Sequence, residues 1–252
     1  MLHETELSPR RQRSRERRTE RIVATAGRLL AEEGFDALTM GRLAEELDVS
    51  VGSLYRYFRS KDALVAELQR RAVAQIQTEL DEARARWRER LPEGAGAAAV
   101  ADLLAMGRLY LELPARAPAR YRLVNATLAD PRTLVDDTEA AQVTPLLATL
   151  LQRVADAFAA AAAAGHLAEG DAWQRTLVYW AGLHGTGLFG KLERLLPEPA
   201  AALTAKRLGL ELATALFRGW GASPEDVARA AAWLHSSMAS EPLATHQPET
   251  RS

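Results

Sequence analysis

The sequence predicts an all-α fold, and three observations carry that expectation. Apolar residues recur at three- and four-residue spacings along most of the chain rather than alternating. Alanine, the strongest helix former, dominates the second half and includes the run 159–164. Helix caps and stops punctuate the chain at intervals that suit helices and leave little room for strands. At 252 residues the chain is long enough to bury a substantial core as one large or two smaller domains. It has no cysteine, which excludes disulfides and thiolate metal sites. Its five histidines show no metal-ligand spacing, so neither a metal nor a cofactor is expected. No apolar run reads as a membrane span, and the arginine-rich start lacks the apolar segment of a secretory signal. A cytoplasmic protein without a membrane partner is therefore the expectation.

The elements follow in order. A first helix over 17–33 places Ile22, Ala26, Leu29 and Leu30 on one face and stops at Gly34. Thr39 caps a short helix, 40–47, whose buried stripe is Leu43, Ala44 and Leu47. Asp48-Val49 makes a turn, Ser50 caps a third helix over 51–57, and Ser60 caps a long one from 61 to about 90, ended by Pro92. Further helices are expected at 95–113, 118–129, 131–164, 171–195, 200–219 and 224–238. Gly165 stops the alanine-rich helix, Asp171 and Gln174 form a capping box, and Ser223-Pro224 sets a cap and an N1 proline. Residues 1–14 and 239–252 are polar and aperiodic and are expected to be a disordered basic arm and a disordered tail. Asp136, Asp137 and Glu139 read as a solvated helix face.

Charge is uneven although the formal net charge is −1. Residues 10–21, RRQRSRERRTER, hold seven arginines against two glutamates. Such a run is either a solvated tail or an electrostatic arm for phosphates. The stretch 50–61, SVGSLYRYFRSK, is both aromatic and basic. Two short helices joined by a tight turn fit a helix-turn-helix unit, whose second helix must enter a groove about 12 Å wide. Val51, Gly52 and Ser53 are small enough to bring the backbone near base edges. Leu54 and Phe58 face the core, which leaves Tyr55, Arg56 and Tyr57 for the groove wall. Thr39, Ser50 and, one turn later, Lys61 suit backbone phosphates.

From about Arg17 to Leu68 the chain resembles the DNA-binding domain of TetR-type (TetR/AcrR) transcriptional regulators. Ile22, Ala26, Leu29, Gly34, Phe35, Leu38-Thr39, Leu43-Ala44, Val49-Ser50, Gly52, Leu54-Tyr55, Tyr57-Phe58 and Ser60-Lys61 carry the resemblance. It implies an N-terminal three-helix DNA-binding domain, 15–62, and a helical ligand-sensing and dimerisation domain, 63–238. The implied protein is a ligand-responsive regulator, most simply a repressor, that binds a pseudo-palindromic double-stranded operator as a homodimer. Val51, Gly52 and Ser53 fall where the family contacts bases, and Thr39, Ser50, Tyr55, Tyr57 and Lys61 where it contacts backbone. The arginine run then reads as a phosphate or minor-groove contact. A pocket between the middle helices is expected to draw on Trp87, Met106, Tyr110, Tyr121, Asn125, Trp173 and Tyr179, for a small, lipophilic, uncharged effector. In this family the last two long helices pair across the dimer. Ala181, His184, Leu188 and Leu192, with Leu210 and Phe217, are the matching stripe.

Two other readings compete. Gly185-Thr-Gly187-Leu-Phe-Gly190 matches the G-x-G-x-x-G dinucleotide fingerprint, but it lacks a second strand and the helix cap at Asp171 commits the segment to helix. A helical scaffold with no DNA role would account for the C-terminal helices but not for SVGSLYRYFRSK.

Overall fold

The computed structural model describes residues 9–128, 136–189 and 204–238. Among them it contains ten α-helices and no strand. These are α1 (Pro9–Glu33), α2 (Met40–Leu47), α3 (Val51–Tyr55), α4 (Lys61–Arg88), α5 (Ala95–Arg116), α6 (Pro118–Leu128), α7 (Asp137–Ala163), α8 (Ala172–Leu188), α9 (Ala205–Gly219) and α10 (Pro224–Met238). The described residues divide into two compact units: 9–74 with 117–128 and 136–146, and 75–116 with 147–189 and 204–238. The division is not the contiguous split at residue 62 that the sequence suggests. Residues 117–128 and 136–146 group with the N-terminal helices, and a one-dimensional reading has no means of seeing that return.

The first unit gathers Ile22, Ala26, Leu29 and Leu30 of α1, Leu38, Leu43 of α2, Leu54, Phe58, and Leu64, Val65 and Leu68 of α4 into one core. Gly34 stops α1 with φ +88°, a left-handed conformation that a side chain would strain. Phe35 then packs against the core. From α6, Leu123 joins the same core, and its carbonyl accepts a 3.0 Å hydrogen bond from the buried Gln69 amide. Arg71 of α4 clamps Glu20 of α1 through two bonds of 2.6 and 2.8 Å. One difference from the sequence reading is that α1 begins at Pro9, eight residues before the expected start at 17 and inside the stretch expected to be disordered. Every residue from Pro9 to Arg18 is exposed, so no apolar period marks that part of the helix.

In the second unit α5 is buried nearly all round, from Val100 through Gly107, and packs against α8, α9 and α10. Phe158 of α7 is fully buried between Tyr179, Phe217 and Trp220, with edge-on ring contacts to Tyr179 and Trp220. The Tyr179 hydroxyl donates to the Leu103 carbonyl at 3.1 Å. Close helix approach is built in with glycine: a Cβ on Gly209 would stand 2.3 Å from the Leu111 side chain. Asp171 accepts from the Gln174 N–H at 2.9 Å, confirming the cap of α8. By length and mean hydropathy (1.4), α7 could cross a membrane, contrary to the expectation that no segment would. It buries Ala157, Phe158 and Ala161 in the core of this unit.

One polar cluster lies under these helices. Asp102 accepts from the Trp87 indole at 2.8 Å, from Arg84 at 2.7 and 3.1 Å, and from Arg88 at 3.1 Å. Burial pushes this carboxyl up, but the bonds from Arg84 and Trp87 and the two guanidinium charges outweigh it and hold the group below the usual carboxylate range. The unfolded chain therefore binds the proton more readily, so the stabilisation is complete above the unfolded value of about 4 and is lost as pH falls through the folded one. Urea unfolding at neutral pH is expected to show Asp102→Ala destabilised by about 3 kcal/mol, because Arg84 is left without its partner. Between pH 4 and 2 the wild type should lose stability more steeply than the variant, and parallel pH profiles would remove Asp102 as the cause.

Candidate nucleic-acid interface

The helix-turn-helix is built by local capping. Thr39, in extended conformation, accepts the Arg42 N–H at 3.1 Å and starts α2. Asp48 ends it with φ 53°, the one left-handed non-glycine position among the described residues, and the Val49 N–H bonds back to the Ala44 carbonyl. Ser50 then caps α3, its hydroxyl accepting the Ser53 N–H at 3.3 Å and lying 2.9 Å from the Ser53 hydroxyl. Three residues thus separate the two helices, and both caps stand where the sequence places them. α3 is shorter than expected: it ends at Tyr55, and Arg56 and Tyr57 form the turn that follows. Leu54 and Phe58 are buried, as the spacing requires.

The opposite side of α3 is open. Val51 is 39% exposed and Tyr55 51%, and both Gly52 and Arg56 are exposed. Arg56 donates to the Ser53 hydroxyl at 3.3 Å. Neither helical glycine of the unit is needed for packing: a Cβ at Gly52 would meet nothing within 4 Å, and one at Gly41 only the Thr39 hydroxyl at 3.9 Å. Ser53 and Tyr57 are half-buried because they line a cleft of about 340 Å³ shared with Arg18, Arg21, Ile22 and Asp48. Arg18 and Arg21, on the last turn before the buried part of α1, are thereby set beside α3. Lys61 opens α4 next to the Ser60 cap, and one of its three N–H groups donates to the Phe35 carbonyl at 3.2 Å.

Among the described residues, Arg59 is the one basic residue of 50–61 with a carboxylate partner. It binds Glu139 of α7 through Nε and Nη2, at 3.0 and 2.5 Å. Glu139 is 3% exposed and is held further by Gln142, while its own N–H bonds to the Asp136 carboxylate. The sequence reading of 136–139 as a solvated face is therefore corrected for Glu139: it is a buried counter-ion. The signal was present as Asp136-x-x-Glu139, the spacing of a capping box.

The other expected sites fare unevenly. Trp87, Met106 and Tyr179 are core residues, and Trp87 and Tyr179 spend their polar atoms on Asp102 and the Leu103 carbonyl. Tyr110 meets His184, with its hydroxyl 2.8 Å from Nδ1. Tyr121 and Asn125 belong to the first unit, Asn125 donating to the Tyr121 carbonyl, and Trp173 is on the surface of α8. Of the expected interface stripe, Ala181 and Leu188 are exposed and His184 is half-buried, stacked on Trp180. Leu210 is half-buried against the core, and Leu192 lies outside the described residues. Phe217 is fully buried against Phe158 and Tyr179, so it faces its own core and not an interface. Gly185 and Gly187 sit inside α8, and the preceding residues are helical, which removes the strand–turn–helix context a dinucleotide fingerprint needs.

Comparison with known proteins agrees with this geometry. The family profile described as bacterial regulatory proteins, tetR family, matches residues 22–68. The transcriptional repressor KstR of Mycolicibacterium smegmatis is 36% identical over 83 residues, 33% of this chain and 39% of that protein. The chain spans only about a third of the length of the curated relatives it matches first. A regulatory protein of the tetR family from Rhodococcus RHA1 superposes with a TM-score of 0.56 at 18% identity, over 81% of this chain and 97% of that one. The transcriptional regulator FadR of Bacillus subtilis, solved with stearoyl-CoA, gives 0.58 at 16% identity, over 79% and 98%. Residues 22–68 thus match the tetR family of bacterial regulatory proteins, and the chain shares its fold with these solved structures.

Proposed function

We propose that the chain is a ligand-responsive transcriptional regulator, most simply a repressor, that binds a pseudo-palindromic operator as a homodimer. The observation that carries this reading is α3: a short helix anchored by Leu54, with Val51, Gly52, Tyr55 and Arg56 turned to solvent. That face fits a major groove. Val51 offers an apolar contact for a thymine methyl, Ser53 and Arg56 offer hydrogen bonds to bases, and Thr39, Ser50, Tyr55, Tyr57 and Lys61 stand around them for phosphates. A two-fold operator calls for a two-fold protein. The surface of α8 supports one, since Leu177, Val178, Leu188 and Phe189 are large apolar side chains left exposed there. The effector is read as lipophilic, and the stearoyl-CoA held by FadR makes acyl-CoA thioesters the first series to test. Regulation is then a population shift: the effector binds the form with low operator affinity more tightly. This is a binding protein with no chemical step, at work on cytoplasmic DNA.

Selection of bound fragments from random or genomic DNA, with purified ligand-free protein, tests the reading; enrichment of a two-fold site supports it, and an absence of enrichment at any salt concentration overturns it. On the selected duplex, Lys61→Ala is expected to weaken binding to every sequence alike and to flatten the salt dependence by about 0.9 in log K against log [salt]. Gly52→Ala should act in opposite directions on fold and function. It relieves a helical glycine and raises stability by about 0.5–1 kcal/mol, yet it lowers operator affinity at least tenfold if the backbone there lies against the bases. Equal affinity in both proteins would place Gly52 outside the interface. Leu188→Glu, at a site 67% exposed, should leave the melting curve unchanged and convert a dimer to a monomer in sedimentation. A variant that remains dimeric would move the interface elsewhere.

A further inference from the structure

The N-terminal ten residues of α1 have no fold-internal reason to be helical. Pro9 to Arg18 are all exposed, and the first buried residue is Ile22. A helix that packs against nothing draws little stability from its own hydrogen bonds. Here the side chains oppose it as well. Arg11 and Arg15, Arg13 and Arg17, and Arg17 and Arg21 are like-charge pairs four apart, and Arg10–Arg13, Arg15–Arg18 and Arg18–Arg21 are three apart. The first turn holds no acidic residue, so Arg10 and Arg11 also face the positive end of the helix dipole. All three penalties have one sign, and a polyanion relieves each of them.

The charges are also sorted around the axis. At 3.6 residues per turn the seven arginines of 10–21 fall within an arc of about 200°, and Gln12, Glu16, Thr19 and Glu20 fill the rest. Glu20 is spoken for by the two bonds from Arg71, which fixes the acidic side of α1 toward α4. The basic side is then turned as Arg18 and Arg21 are, toward the cleft they share with Ser53 and Tyr57 of the recognition unit. The arginine ridge therefore begins at the edge of the candidate DNA face and runs away from it as a straight extension.

We infer that this extension is a rigid phosphate-tracking arm, which lies along the DNA backbone flanking each half-site. The inference rests on the DNA-binding reading above and adds to it where the operator ends. As a helix about 10–12 Å across, the arm does not enter a minor groove about 6 Å wide, so it reads charge and not sequence. Ten residues rise about 15 Å, which spans about four phosphates of one strand at 3.4 Å each.

The test uses the duplex obtained by selection, extended by ten base pairs on each side and then trimmed. The full-length protein is compared with a variant carrying Gln at Arg10, Arg11, Arg13, Arg15 and Arg17, and with Ser14→Pro and Ser14→Ala. The arm lies outside the core, so all four should melt alike. The expected result is a salt slope shallower by about two to four in the five-fold variant. Removing the outer flanks should lower wild-type affinity several-fold and leave that variant unaffected. Ser14→Pro, which breaks the helix without changing charge, should behave like the five-fold variant, and Ser14→Ala like the wild type. An unchanged slope in the five-fold variant, with specific binding retained, overturns the arm and leaves the regulator reading standing. A harmless Ser14→Pro overturns the rigid helix in favour of an extended strand. Failure of the wild type to bind any duplex overturns the regulator reading itself.

Discussion

Leu54 is the side chain on which the candidate interface depends. A five-residue helix has too few internal hydrogen bonds to persist alone, since nucleation fixes three residues for the first bond. α3 keeps its shape because Leu54, 1% exposed and the one buried residue of the helix, is anchored in the core of the first unit. The caps at Ser50 and the left-handed turn at Asp48 set its direction but supply little energy. Everything that could touch a base is thus carried on a lever fixed at one point. The open side is free to hold small and unfavourable residues, such as the two glycines at 41 and 52, because the fold asks nothing of it.

Much of this was legible in the sequence, for a physical reason. Caps, periodic apolar stripes and the glycine stops at 34 and 165 act over three or four residues, and the structure bears them out at Thr39, Ser50, Gly34, Gly165 and Asp171. What depends on distant partners was not legible. A helical wheel shows that Phe217 lies on an apolar stripe but not which neighbour the stripe meets, and it meets Phe158 and Tyr179. Glu139 looks like any surface carboxylate until Arg59 arrives from eighty residues away. The start of α1 has no apolar residue to count, so its helix left no period to read.

The second unit shows how a motif misleads without its setting. Glycines at 182, 185, 187 and 209 read as phosphate-loop chemistry or as packing, and residue types alone do not separate the two. In the fold, Gly182 and Gly209 stand where a Cβ would collide with Leu212 and Leu111, so they permit α8, α9 and α5 to approach closely. Such tight contact leaves little slack: α5 is buried from Val100 through Gly107, and its carboxylate at Asp102 is satisfied by three side chains.

The return of α6 and the start of α7 to the first unit bears on how such a head can be borrowed. Leu123 completes its core, the Leu123 carbonyl satisfies a buried glutamine, and Glu139 balances Arg59. An N-terminal fragment cut after α4 would carry every residue of the helix-turn-helix and still expose apolar surface and leave Arg59 without its carboxylate. Modularity in this chain is therefore a property of packing and not of sequence order. A chimaera that grafts this reading head onto another sensor has to bring α6 and the first turns of α7 with it, as a second and separate splice.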